Sequence, residues 1–306
     1  MKIAYTASNF TDKTIGIIEI ANEIVREYEE QGFSLTLRQL YYQFVARDYV
    51  ANTEQSYKRL GNIISDGRRA GLIDWDAIED RTRYVRRISH WDTPSDVMES
   101  AMRSFKLSMW ENQPINPEVW IEKDALIGVI SGVCGNYDVP YFSCRGYVSD
   151  SEMWRAGRRV YDNSLHGKTT LILHLGDHDP SGVDMTRDIE SRLALFGELE
   201  PFEVRRIALN IDQIDQYKPP PNPTKLTDSR ASGYISKYGR NSWELDALSP
   251  AVLAELISDE LGSEIDWDIW EDTVVREKQH KSELQSVATN WKKIIKWLNN
   301  GGSASN

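Results

Sequence analysis

Thr169-Thr-Leu-Ile-Leu-His-Leu175, followed at once by Gly176-Asp-His-Asp-Pro-Ser-Gly182, decides the fold. The first run is apolar along almost its whole length, as a strand buried on both faces of a sheet must be. The second breaks the strand with Gly and Pro, so Asp177 and Asp179 emerge at its carboxyl end, where open α/β sheets present their ligands. Working outward, Glu118–Ile121, Pro140–Ser143 and Phe202–Ala208 read as further short strands, with helices near Ala125–Cys134, Ser149–Tyr161 and Gly182–Phe196 between them. That alternation is the βαβ rhythm of a mostly parallel, Rossmann-like sheet covered on both faces. After it, Lys218-Pro-Pro-Pro-Asn-Pro-Thr-Lys225 is too rich in proline for regular structure and reads as a surface loop. The C-terminal part is acidic and rich in Trp, with an amphipathic helix expected near Val274–Leu298 and a disordered tail at 301–306.

Before the sheet the texture is helical. An amphipathic helix spans about Asp12 to Gln31, and a second opens at Thr36, an N-cap residue, with Leu37, Leu40, Tyr41, Phe44 and Val45 on one stripe. Asn52-Thr53 caps a third helix, which turns Tyr57, Leu60, Ile63 and Ile64 inward and Gln55, Arg59, Asn62, Asp66 and Arg69 outward. The segment from Asp74 to Asp92, with the strand-like run Arg83–Ile88, would serve as a basic wing, so the region reads as a winged helix-turn-helix. A helical connector covers Pro94 to Pro117. The expected domains are residues 1–110, helical and winged-helix; 111–250, the sheet; and 251–306, a helical extension.

The chain has 306 residues, 40% of them hydrophobic, and a net charge of −11. An acidic total argues against nucleic acid, yet local patches govern phosphate binding. Ser34–Ser89 holds ten Lys/Arg against seven Asp/Glu, and Lys218–Arg240 five against one. No run is long and apolar enough for a membrane helix, and the first residues lack the features of a signal peptide, so a cytoplasmic protein without membrane partners is expected. Cys134 and Cys144 form no metal or disulfide pattern and read as buried thiols.

Glu122 follows the strand Glu118–Ile121 as Asp177 follows Thr169–Leu175. Three carboxylates converging from two strand ends suit Mg2+, with Mn2+ as the second choice, because a hard ion takes a few carboxylate oxygens plus water and phosphate. Without a cation, crowding should raise the pKa of at least one of them. The two aspartates also read as turn formers before Pro and Gly. Glu244 and Asp246 could complete the site, or lie on the outer face of a strand that turns Trp243, Leu245 and Ala247 inward. His174 and His178 lack the spacing of a zinc site.

On the second helix Tyr42 falls about 100° from the core stripe that holds Tyr41. Arg38, four residues earlier, lies on the same side, where it could bind a phosphate and favour the phenolate. Tyr42 is thus a candidate nucleophile toward a phosphodiester, though the pattern alone favours a tyrosine that packs its ring at the surface or stacks on Arg38. Arg59, Arg69, Arg145, Lys225, Arg230, Lys237 and Arg240 are candidate contacts to a DNA backbone, each with a solvated-surface reading beside it.

Thr36-Leu-Arg-Gln-Leu-Tyr-Tyr42, with Glu122 and Asp177-His-Asp-Pro-Ser-Gly182 further on, resembles the A subunit of type IIB topoisomerases (topoisomerase VI) and the related meiotic double-strand-break protein. The order matches too, and the chain is most similar to the short stand-alone members of phages and prokaryotes, sometimes called Mini-A. The resemblance covers about Ser34 to Ser249. It implies an α/β chain with an N-terminal winged helix-turn-helix, then a Toprim domain, then a helical extension. It also implies that Tyr42 attacks DNA to leave a 5′-phosphotyrosyl link, with Arg38 steadying the phosphate, Asp177 and Asp179 holding Mg2+, and Glu122 sharing the metal or moving a proton. Double-stranded DNA and a homodimer that sets the tyrosine of one subunit by the metal of the other are the implied partners. Gln39 stands where the family often has an acid. Neither a GHKL ATPase region nor a P-loop is present, so ATP-driven strand passage would need a separate ATPase subunit. Toprim domains also serve hydrolytic nucleases, which keeps a water-using nuclease and a non-catalytic DNA-binding protein as alternatives.

Overall fold

The computed structural model describes residues 1–79 and 88–300. Residues 80–87 of the expected wing and the 301–306 tail lie outside these. The chain divides into two compact units: Met1–Arg83 with Ile115–Ser263, and Tyr84–Pro114 with Glu264–Asn306.

In the first unit α1 (Asp12–Glu30), α2 (Leu37–Ala46) and α3 (Glu54–Arg69) share one core. Thr11, Thr36 and Thr53 cap them, each hydroxyl accepting from a backbone N–H of the first turn. At α2 the cap is reciprocal. The Gln39 amide oxygen accepts from the Thr36 N–H at 2.9 Å while Thr36 Oγ1 accepts from the Gln39 N–H at 3.3 Å, so Gln39 does the work an acid does in such boxes. The spacing of apolar residues delivers Ile18, Ile24, Leu40, Phe44, Leu60 and Ile64 to the shared core. The outward set on α3, from Gln55 to Arg69, is exposed as expected.

In the second unit α4 (Pro94–Ser104) opens with a Thr93 capping box and Pro at its start. It packs along a later helix, Trp267–Thr289, where Ser95 Oγ donates to the Ala288 carbonyl at 3.1 Å. The amide and carbonyl of the Gln113 side chain clamp the Asp266 backbone, each at 2.9 Å, and Trp110 meets Trp270 edge to face.

Back in the first unit, β1 (Ile115–Ile121), α5 (Ile127–Asn136), β2 (Tyr141–Ser143), α6 (Asp150–Leu165), β3 (Thr169–Leu175), α7 (Pro180–Phe196) and β4 (Phe202–Ala208) follow in turn. Among the described residues these strands form one four-stranded parallel sheet in the order β2-β1-β3-β4. The α/β reading therefore holds, with β3 and β4 bounded as the sequence predicts. The inner face is built by Trp120, Ile172, Met153, Val160, Ile189 and Leu193. Glu118 on β1 is buried against a bidentate Arg159, both contacts at 2.7 Å, with the Trp120 indole N–H donating to it.

After the sheet come α8 (Ile211–Tyr217), the strand pair β5 (Asn222–Pro223) and β6 (Asn241–Ser242) with α9 (Ala231–Tyr238) between, then α10 (Pro250–Glu264). The proline-rich loop thus holds one short strand, because the Thr224 N–H still donates to the Arg240 carbonyl beside the prolines. In the second unit the C-terminal helix is two, α11 (Trp267–Thr289) and α12 (Trp291–Asn299), parted at Asn290. No helix among the described residues is long and apolar enough to cross a membrane.

Candidate active site

The strand order makes β1 and β3 neighbours whose chains leave in opposite directions along the sheet, β1 toward β2 and β3 toward β4. A crevice opens at the carboxyl ends where the order reverses. Glu122 and Asp177 stand there. Ile121 pairs with Leu175, so Glu122 faces Gly176, and its N–H donates to the Leu175 carbonyl at 2.8 Å. Its Oε2 accepts the Asp177 N–H at 2.8 Å. The approach is close enough that a Cβ at Gly176 or at Gly182 would stand 3.1 Å from that oxygen, and one at Gly182 would overlap the Asp177 carbonyl.

Asp177 is buried, its Oδ1 accepting the Leu245 N–H at 2.7 Å and lying 2.9 Å from Lys123 Nζ. Asp179 caps α7, with Oδ1 accepting from the Gly182 N–H at 2.6 Å and the Ser181 hydroxyl at 3.0 Å. Burial pushes the Asp177 carboxyl up to about 8 against the pull of Lys123, and burial likewise raises Glu122. Buried acids held close together behave in this way, so the donor chemistry fits a hard divalent ion. The set is not preassembled, however. Among the described residues no three His, Cys, Asp or Glu side chains are placed to share an ion, because Asp179 is committed to its cap and Lys123 takes Asp177.

Arg206 on β4 organises this loop from below. Its guanidinium donates to the carbonyls of Asp177 at 2.7 Å and of Gly176 and Gly182 at 2.9 Å each. His178 ties the same loop to the chain beyond β6: its N–H and carbonyl pair with Trp243, and Nδ1 lies 2.7 Å from the Tyr234 hydroxyl. Burial holds His178 down at about 4 and His174 at about 3, so both are neutral core residues.

Of the two readings of Trp243–Leu248, the strand with Glu244 and Asp246 on its outer face does not hold. Leu245–Ala247 forms a 3-10 turn, which buries Asp246 along with Leu245 and Ala247. The turn packs against α2, and this changes the reading of Tyr42. The residue falls off the α1–α3 stripe, but the turn covers it, leaving it 4% exposed. Nor is the phenolate favoured: burial first, then Asp246 and Glu244, push the phenol up to about 12, outweighing Arg38. The Arg38 guanidinium carbon lies 5.8 Å from the Tyr42 ring centre. Arg38 Nε is 2.8 Å from Asp246 Oδ2 and Nη2 is 3.1 Å from Glu244 Oε2. Lys123 Nζ bonds the same Glu244 oxygen and stands 2.9 Å from Asp246 Oδ1. An unbroken chain of contacts thus runs from Tyr42 through Arg38, the two acids and Lys123 to Asp177, all within one chain.

Tyr42, Arg38, Lys225 and Glu244 line a cavity of about 370 Å³. Lys225, Glu244, Asp177 and Asp179 line the adjoining one. The other basic candidates lie elsewhere. Arg59 faces a separate groove with Lys13 and Tyr49. Arg69 pairs with Asp66, Arg145 with Asp124, and Arg230 with Asp228 and Asp184. Lys237 lies over the Tyr238 ring, and Arg240 is exposed beside β6. Sequence reasoning missed Lys123 and Arg206. The first was signalled only by following Glu122, the second only by its register opposite His174. No protein-family model, curated protein or solved structure matches the chain.

Proposed function

We propose that the chain breaks DNA by transesterification, with Tyr42 as the nucleophile, as a homodimer and with any ATPase supplied separately. In this reading α2, α3 and the segment after them are a winged helix-turn-helix and the parallel sheet is a Toprim domain. One observation carries it: Arg38, one turn before Tyr42, and Lys123, next to Glu122, share Asp246 and Glu244, which joins the tyrosine helix to the strand-end acids. The Tyr42 oxygen attacks phosphorus, the bond from phosphorus to the 3′ oxygen breaks, and that oxygen takes a proton from water and leaves as a 3′-hydroxyl. The phenol, held near 12, stays protonated until attack, so its proton must pass to a carboxylate of the cluster or to water in the same step. Arg38 steadies the phosphate oxygens. Glu122, Asp177 and Asp179 are the residues that would hold Mg2+ or Mn2+, which when bound neutralises phosphoryl charge.

The burial of Tyr42 and its high pKa favour a second reading, hydrolysis by a water at the acids with Tyr42 as a contact. Supercoiled DNA incubated with wild type, Tyr42→Phe and Asp177→Ala, with and without Mg2+ and protease, separates the readings. Transesterification expects a protein-linked break lost in both variants. Cleavage that survives Tyr42→Phe and leaves protein-free ends establishes hydrolysis, and DNA binding without any cleavage sinks both.

A further inference from the structure

Two cations from different elements meet on one oxygen, Glu244 Oε2. Arg38 reaches it from α2 and Lys123 from the end of β1. The other ion pairs of these cations go to fixed acids. Asp246, its side chain 1% exposed, takes Arg38 Nε and Lys123 Nζ, and Asp177 takes Lys123 a third time. Glu244 differs from both. Its side chain is 25% exposed and lines both adjoining cavities, as Lys225 does. Among the described residues its carboxylate bonds only Arg38 and Lys123, while the neighbouring Trp243 backbone, paired with His178, holds the chain in place. The side chain can therefore turn out without breaking the backbone around it.

An oxygen anion held between a guanidinium and an ammonium at the wall of an open cavity is how a phosphate oxygen is received. We propose that the Glu244 carboxylate is an internal stand-in for a phosphate group, so that Arg38, Lys123 and Lys225 form a phosphate seat which Glu244 fills until a phosphate enters. The exchange keeps the charge balance, since one anion replaces another against the same buried Asp246 and Asp177. The seat deepens the DNA-breaking reading and rests on it only for the source of the phosphate. Glu244 then acts as a filter, because a weakly charged ligand cannot displace it.

The test is calorimetric titration of the full chain with inorganic phosphate and, separately, with a short DNA duplex, for wild type, Glu244→Gln and Glu244→Gln with Arg38→Met. If Glu244 fills the seat about nine-tenths of the time, Glu244→Gln binds phosphate about tenfold more tightly, and the double variant loses the gain. A gain for both ligands assigns the seat to a nucleic-acid backbone, and a gain for inorganic phosphate alone assigns it to a free anion. Unchanged or weaker phosphate binding by Glu244→Gln overturns the proposal, as does a gain that survives Arg38→Met. Should Glu244→Gln lose its cooperative melt, Glu244→Ser takes its place, and loss of folding in both also overturns it, since an exchangeable filler cannot be needed to fold. DNA cleavage is scored apart from these titrations, so the seat can stand where the cleavage reading fails.

Discussion

Arg38 Nε lies 2.8 Å from Asp246 Oδ2, across 208 positions of sequence, and this contact fastens the tyrosine helix to the strand-end acids. Asp246 also holds Lys123, so removing its carboxylate takes a buried partner from two cations at once. Asp246→Ala should lower unfolding free energy by about 3 kcal/mol, the usual cost of breaking a buried pair from one side. Urea denaturation measures it, and a loss under about 1 kcal/mol would show that solvent already screens the contact.

Tyr42 separates structure from chemistry. Its ring is buried in the cluster that α1–α3 form with Ala247 of the turn, so Tyr42→Phe should keep stability within about 1 kcal/mol while Tyr42→Ala loses about 3 to 4. Thermal melts of the pair check this. Equal melting temperatures would mean that the turn after Trp243 does not cover the ring.

Gly182 permits the acid loop to close on itself. A methyl there would overlap the Asp177 carbonyl, which Arg206 holds, and stand 3.1 Å from Glu122 Oε2, which the Asp177 N–H holds. Gly182→Ala should cost about 2 kcal/mol or more. Gly132, with open space around its α-carbon, should accept the same change within about 1 kcal/mol. Parallel denaturation curves give the contrast.

Asp177 sets a pH dependence whose sign follows from its raised pKa. Between its ordinary 3.8 and about 8 the folded state keeps a proton that the unfolded chain has released. Its stabilising contribution is complete at the acid end and declines as pH rises through 8, with a slope of up to about 1.4 kcal/mol per pH unit. Denaturation of wild type and Asp177→Asn at about pH 5 and pH 8 should show wild type losing more stability on the alkaline side than the variant. Added Mg2+ should recover part of that loss, read as a rise in melting temperature near pH 8. A wild-type profile that parallels Asp177→Asn, with no response to Mg2+, would remove the case for a cation at these acids.

Much of the sheet was legible because its signals are local. The run Thr169–Leu175 is long enough, apolar enough and sharply enough ended by Gly176 to name a strand, and Phe202–Ala208 likewise. Thr36 and Thr53 declared helix starts through hydroxyls that act within three residues. Trp243–Leu248 misled for the opposite reason. Alternating apolar and acidic residues describe a half-buried strand equally well, and nothing nearby in sequence says that Arg38 and Lys123 wait to neutralise Asp246.

Sequence alone determined the parallel α/β sheet, the strand-end positions of Glu122, Asp177 and Asp179, and the helical pairing of Arg38 with Tyr42, all consequences of backbone periodicity and turn chemistry within a few residues. Only the tertiary structure decided what those groups experience. It buried Tyr42, raised its phenol, and drew Lys123 and Arg38 onto Glu244 and Asp246. Charge and burial act through space, and the partners that set them lie more than a hundred positions apart along the chain.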